Sequence, residues 1–129
     1  MASRLVRLKK RADFLRVAAL RRKWAAPGLI LQSAPTPPES RADATRVGFT
    51  VSKKVGNAVE RNRARRRLKA AAGEILPALA ALDTDLVVIG RRETLTRPYS
   101  LLLQDLRTAL KRVGARRPEA PDPSAAREA

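Results

Sequence analysis

Residues 51–67 read Val51-Ser-Lys-Lys-Val-Gly-Asn-Ala-Val-Glu-Arg-Asn-Arg-Ala-Arg-Arg-Arg67, and the rest of the chain is organised around them. Just upstream, Val47, Phe49 and Val51 alternate with Gly48, Thr50 and Ser52, the period-two pattern of a strand with one buried face. Lys53 and Lys54 leave that strand, and Gly56 is expected to supply a positive-φ bend. Asn57 with Glu60 three places later forms a capping-box pattern, so a helix is expected from Ala58 onward.

On a wheel of about 100° per residue, Ala64, Leu68, Ala71, Ala72, Ile75 and Leu79 share one arc. Asn62, Arg63, Arg66, Arg67 and Lys69 spread over the other side, with Arg61 and Arg65 at the margins of the apolar stripe. A mixed Lys/Glu face would be ordinary solvated surface. This one is single-signed: five Arg and one Lys lie between Arg61 and Lys69, and no acid follows Glu60 until Glu74. Like charges four apart cost a few tenths of a kcal/mol per pair, so the face weakens its own helix unless a polyanion neutralises it.

Composition agrees. In 129 residues, 28 Lys and Arg stand against 12 Asp and Glu, a net charge of +16, which points to nucleic acid or an anionic membrane surface. A membrane is the weaker choice, because no apolar run approaches the roughly 20 residues of a span. The basic N-terminus is followed by no apolar segment of about 7–15 residues, so no secretory signal is expected and the cytoplasm is the default location. Without cysteine there is neither a disulfide framework nor a thiolate metal site. The length suits a single domain.

In chain order, residues 1–10 carry Arg4, Arg7, Lys9 and Lys10 with little to bury and read as a mobile basic arm. A first helix is expected from about Arg11 to Arg22, with Phe14, Val17, Ala18 and Arg21 on one face. Residues 23–25 and 28–32 read as short strands around Pro27-Gly28, with Trp24 packing. Proline and polar residues make 34–45 a surface connection. Pro77 marks a kink or the end of the basic helix. The unbroken apolar run in 85–90 is a buried central strand, and Pro98 opens a helix on which Tyr99, Leu102, Leu103, Leu106, Leu110 and Val113 face the core. Residues 115–129 hold three prolines and almost no large apolar group, so a disordered tail is expected after a domain spanning 11–114.

The order is therefore helix, strands, helix, strand, helix: an α+β domain around a small mixed sheet. For its own chemistry the chain offers little. It has no histidine or cysteine, which removes the commonest general base and the thiolate nucleophile. Asp83 and Asp85 form an Asp-x-Asp pair before a strand, with no third acid nearby in sequence, and read as the end of a turn.

Residues 48–59, Gly-Phe-Thr-Val-Ser-Lys-Lys-Val-Gly-Asn-Ala-Val, followed by Arg61-Asn62-Arg63 and the basic run to Lys69, resemble the signature of the protein subunit of bacterial ribonuclease P. The resemblance extends over roughly Leu8 to Val113. It implies an α+β fold with a left-handed strand-helix-strand crossover, and a noncatalytic subunit whose RNA partner removes the 5′ leader of precursor transfer RNA with Mg²⁺. It implies RNA contacts at Lys53, Lys54, Asn57, Arg61, Asn62, Arg63, Arg65, Arg66, Arg67 and Lys69, because guanidinium forks bind phosphate bidentately and Asn62 can hold a base edge or fix a neighbouring Arg. It also implies a cleft for the single-stranded leader at Phe14, with Lys10 and Arg11. Where the family commonly has a second aromatic one turn later, this chain has Ala18. The partners implied are the catalytic RNA and the leader, with no cofactor bound by the protein and no obligate protein partner. A general or ribosomal RNA-binding protein would share the charge but has no need of this signature. A stand-alone nuclease would have to cleave without RNA.

Overall fold

The computed structural model describes residues 4–118. Five strands form one mixed sheet: β1 (Arg4–Arg7), β2 (Lys23–Ala25), β3 (Leu29–Pro35), β4 (Ala44–Thr50) and β5 (Thr84–Gly90), in the order β1-β4-β5-β3-β2. Three helices accompany them: α1 (Arg11–Ala19), α2 (Ala58–Leu79) and α3 (Tyr99–Arg112). β4 runs parallel to β1 and β5, whereas β3 is antiparallel to β5 and β2. The apolar run of β5 is central, as its sequence requires, because a strand covered on both faces has no polar side to alternate with.

Side-chain alternation divides the core into two unequal parts. Leu29, Leu31, Val47, Leu86 and Val88 point to one face and are packed there by Leu68, Leu76, Leu102, Leu106 and Leu110 from α2 and α3. On the opposite face Leu8, Val17, Ala34 and Val87 form a small cluster under α1, with Phe14 and Ile89 half-buried against it. One short helix covers that face only in part. The sheet thus presents an open surface beside α1.

α2 starts as expected: the Glu60 amide donates to Asn57 Oδ1 at 2.9 Å and the Asn57 amide to Glu60 Oε1 at 3.0 Å. Gly56 has the positive φ expected of it. Its backbone (φ 158°, ψ −162°) lies in a region essentially reserved for glycine, and a Cβ there would also lie 2.5 Å from Glu60 Oε1. Pro77 sits inside α2, which continues to Leu79 and buries Leu76 together with Ala64, Leu68, Ala71, Ala72 and Ile75, while Leu79, the last of the expected arc, is half-buried. Pro98 occupies the N-cap of α3, and Tyr99 is exposed while Leu102, Leu106, Leu110 and Val113 are buried.

Both ends of the domain depart from the sequence reading. Arg4–Arg7 are not an arm but an edge strand in parallel register with Ala44–Val47. Leu5 packs on the main core, and the Arg7 guanidinium lies 5.6 Å from the Phe49 ring centroid. Two modest apolar residues suffice because β4 supplies a ready ladder of backbone partners. At the other end the chain does not leave the domain at Gly114. The Gly114 amide bonds Lys111 O and the Ala115 amide Leu110 O, a Schellman closure with Gly114 at φ 72°. The turn returns Ala115 to a buried position, and Ala81 N donates to Ala115 O while Arg117 N donates to Leu79 O. The remainder of the expected tail, and residues 1–3 of the expected arm, lie outside the described residues. Residues 34–45 also contain more structure than expected, since β3 reaches Pro35, Pro38–Ser40 make a 3₁₀ turn and β4 begins at Ala44.

Candidate nucleic-acid interface

The capping box gives α2 a defined start, and its apolar stripe fixes its rotation on the sheet, so the orientation of each cation follows. Arg63, Arg66 and Lys69 are exposed, and among the described residues none of them donates to a protein acceptor. Lys53 and Lys54 lie in the 3₁₀ turn before α2, equally exposed, anchored by the buried Val55. These five cations are available to a ligand.

The others are committed in part. Arg61 is half-buried and donates to Gly56 O at 2.8 Å, bracing the turn. Arg65 donates to Asn62 Oδ1 at 3.1 Å, so Asn62 does fix a neighbouring arginine. Asn57 uses its side-chain oxygen for the cap. Arg67 departs most from its expected role: it turns inward, donating to the carbonyls of Leu95 and Arg97, and so ties α2 to the loop before α3. Next to it the Tyr99 hydroxyl donates to Glu74, and partial desolvation of this otherwise exposed side chain together with that carboxylate pushes the phenol up to about 12.

On the open face, Phe14 packs against the sheet. A Cβ on Gly48 would come within 2.5 Å of the Phe14 Cζ, so the ring rests on the bare backbone of β4. Phe14 is only partly buried, as is Ile89 in the same cluster, and Ala18 is exposed one turn later. Lys10 is the N-cap residue of α1 and Arg11 its first residue, both exposed.

Sequence reading missed what holds α1 in place. Asp85, taken for the end of a turn, is the second residue of β5 and fully buried. Its carboxylate accepts Arg46 Nε at 2.7 Å and Arg46 Nη2 at 2.6 Å, the Thr36 hydroxyl at 2.8 Å, and a guanidinium N–H of Arg16 from α1. Asp13 touches both arginines at 3.4 Å, completing a group of two acids and two arginines. Burial alone would raise the Asp85 pKa, but hydrogen bonds from Arg46, Thr36 and Arg16 outweigh it and hold the carboxyl below its ordinary range. Reciprocally, the Asp85 carboxylate raises Arg46. The only available signal was an acid at the head of an otherwise apolar run. Above this group lies a pocket of about 540 Å³ lined by Arg7, Lys9, Lys10, Arg16 and Arg46, with Asp13 and Glu39.

A sheet closed on one side by two helices, half open on the other, and flanked by a rigid single-signed cationic helix defines an RNA-binding α+β domain. The comparisons narrow this. The Ribonuclease P family model matches residues 2–114. The chain is 73% identical over 116 residues to the ribonuclease P protein component of Paramagnetospirillum magneticum, covering 89% of this chain and 87% of the relative. It is 48% identical over 116 residues to that of Gluconacetobacter diazotrophicus, covering 90% and 97% respectively. Among solved structures, the ribonuclease P protein of Staphylococcus aureus superposes with a TM-score of 0.66 at 30% identity, over 81% of this chain and 92% of that one. That of Thermotoga maritima shares the fold with a TM-score of 0.68 at 23% identity, over 82% and 96%. The chain belongs to the ribonuclease P protein family, and as such is the RNA-binding component of the tRNA-processing ribonuclease P holoenzyme, associated with its RNA and with precursor tRNA.

Proposed function

We propose that the outward face of α2, with Arg63, Arg66 and Lys69 and the approach residues Lys53 and Lys54, binds phosphates of the catalytic RNA and of the substrate near the scissile bond. Arg61 and Arg65 flank that face. On the open side of the sheet, Phe14 with Lys10 and Arg11 contacts the single-stranded 5′ leader, one base stacking on the partly exposed, already anchored ring. The protein supplies charge and shape, and the RNA carries out Mg²⁺-dependent hydrolysis. Among the described residues no three carboxylates come together, and the Asp85 carboxylate is occupied by Arg46, Arg16 and Thr36. No obligate protein partner enters this reading, and the complex works in the cytoplasm. Among the described residues no helix is long and apolar enough to cross a membrane.

The supporting observation is the set of exposed cations on a capped helix that, among the described residues, donate to no protein acceptor. Its test is the salt dependence of RNA binding. Log K should fall with log salt by about 0.7–0.9 per phosphate contact, and Arg63→Ala and Arg66→Ala should each flatten the slope by roughly one contact. Unchanged slopes in both variants refute the assignment.

A further inference from the structure

The function above leaves unused a second cationic surface, at the end of the domain opposite the start of α2. Trp24 lies on β2, the edge strand, paired with Leu31 of β3 on one side only. It is the single tryptophan of the chain, yet it is 38% exposed. Sequence reading made it a packing residue, and what packs on it is a cation: the Arg112 guanidinium, from the last residue of α3, stands 5.1 Å from the ring centroid. α3 has 14 residues, about 20 Å at 1.5 Å per residue, and its first turn touches α2 through Tyr99 and Glu74. Arg112 at its far end is therefore well separated from the arginine face of α2.

Two acid-free stretches meet at this edge. No Asp or Glu occurs from Phe14 to Pro38 or from Leu106 to Pro118, while Arg21, Arg22 and Lys23 precede the tryptophan and Lys111 precedes Arg112. The Arg22 carbonyl accepts the Ser33 amide, so the basic residues follow the sheet edge rather than trailing away from it. A partly exposed aromatic with a guanidinium over its ring, in stretches of chain whose charges are all positive, is the chemistry of a site for an unpaired base and its flanking phosphates. A β2 edge this short and this basic is poorly suited to adding a strand from a protein partner.

We propose that Trp24 and Arg112 form a second RNA contact, a stacking site for an unpaired nucleotide with its backbone held by Arg22, two residues before Trp24 and so on the same side of the strand. The proposal rests on the RNA-binding reading above, and the nucleotide comes from either the catalytic RNA or the precursor tRNA.

The single tryptophan makes the test direct. Tryptophan emission of the intact protein is followed while the catalytic RNA alone, and then precursor tRNA on the assembled holoenzyme, is titrated in with acrylamide as quencher. Protection of Trp24 by one of the two identifies the source. Trp24→Leu and Arg112→Gln should then weaken that same step by at least about fivefold, with Arg112→Lys recovering only part, since it restores charge but not the guanidinium's contact with the ring. Circular dichroism and urea unfolding establish that each variant is folded. Absence of protection by both RNAs, or unchanged affinity in folded Trp24→Leu, overturns the proposal. So does a protein dimer abolished by Trp24→Leu, which would assign this edge to a second copy. If Arg63→Ala and Arg66→Ala still flatten the salt slope, only this second contact falls and the α2 reading stands.

Discussion

Replacing Asp85 by Asn tests whether the buried acid fastens α1 to the sheet. The carboxylate accepts two bonds from Arg46, one from Arg16 and one from Thr36, and it is fully buried. Asparagine keeps the shape, but turns an N–H donor toward a guanidinium and leaves two cations facing a neutral group. Removing one partner of a buried ion pair costs about 3–5 kcal/mol. Arg46 and Arg16 keep 16% and 33% side-chain exposure and retain Asp13 at 3.4 Å, so water and that second acid recover part of the loss. We expect about 2–4 kcal/mol by urea unfolding at neutral pH. The pH dependence supplies the sign. Because the folded-state pKa of Asp85 is depressed, the unfolded chain takes up the proton first as pH falls. The contribution is complete above the unfolded carboxylate pKa of about 4 and is lost as pH drops through the folded value. The stability gap between the native protein and Asp85→Asn should therefore be widest near neutrality and shrink in acid. A gap below about 1 kcal/mol, or one that stays constant down to strongly acidic pH, refutes the reasoning. With Arg16 released, α1 should also loosen over the open face, weakening leader-dependent binding of precursor tRNA more than binding of the catalytic RNA.

Arg67→Ala should behave unlike its neighbours on α2: its inward hydrogen bonds to carbonyls predict a loss of roughly 1–3 kcal/mol of stability with the RNA salt slope nearly unchanged, and a flattened slope in a fully stable variant would return Arg67 to the RNA face. Phe14→Ala removes a half-buried ring, so about 1–2 kcal/mol of stability should go, less than the 3–5 kcal/mol typical of a core Phe, together with weaker binding of precursor tRNA but not of mature tRNA. Equal losses for both tRNAs would leave Phe14 a packing residue only. Gly48→Ala should displace the same ring from β4 and reproduce the Phe14→Ala binding defect, and wild-type leader discrimination in that variant would contradict the close approach. Ending the chain after Gly114 rather than after Pro118 should cost about 2–4 kcal/mol, since it removes buried Ala115 and three backbone hydrogen bonds; equal melting temperatures would show that this return segment contributes nothing.

What the sequence determined by itself is whatever local pattern and charge decide: the strand-turn-helix of residues 47–69, the capping box, the apolar arc of α2, the central position of β5, the core face of α3 and the polyanionic partner. These follow from periodicity and from side chains a few residues apart. Phe14 was legible as a candidate only through the family resemblance, since a lone helical Phe is otherwise a core residue. The tertiary structure decided the rest, wherever a role depends on a partner distant along the chain. Arg67 and Arg66 are indistinguishable neighbours in sequence, yet one meets carbonyls 28 and 30 residues away and the other meets solvent. Asp85 became a structural anchor because β4 sets Arg46 opposite it in parallel register while α1 lowers Arg16 from 69 residues away. Arg4–Arg7 became a strand because β4 had an unpaired edge, and Trp24 remained exposed because its strand is the last of the sheet. Pairing order and register are long-range choices made by the fold as a whole, and a basic or apolar residue carries no local mark of which neighbour it will be given.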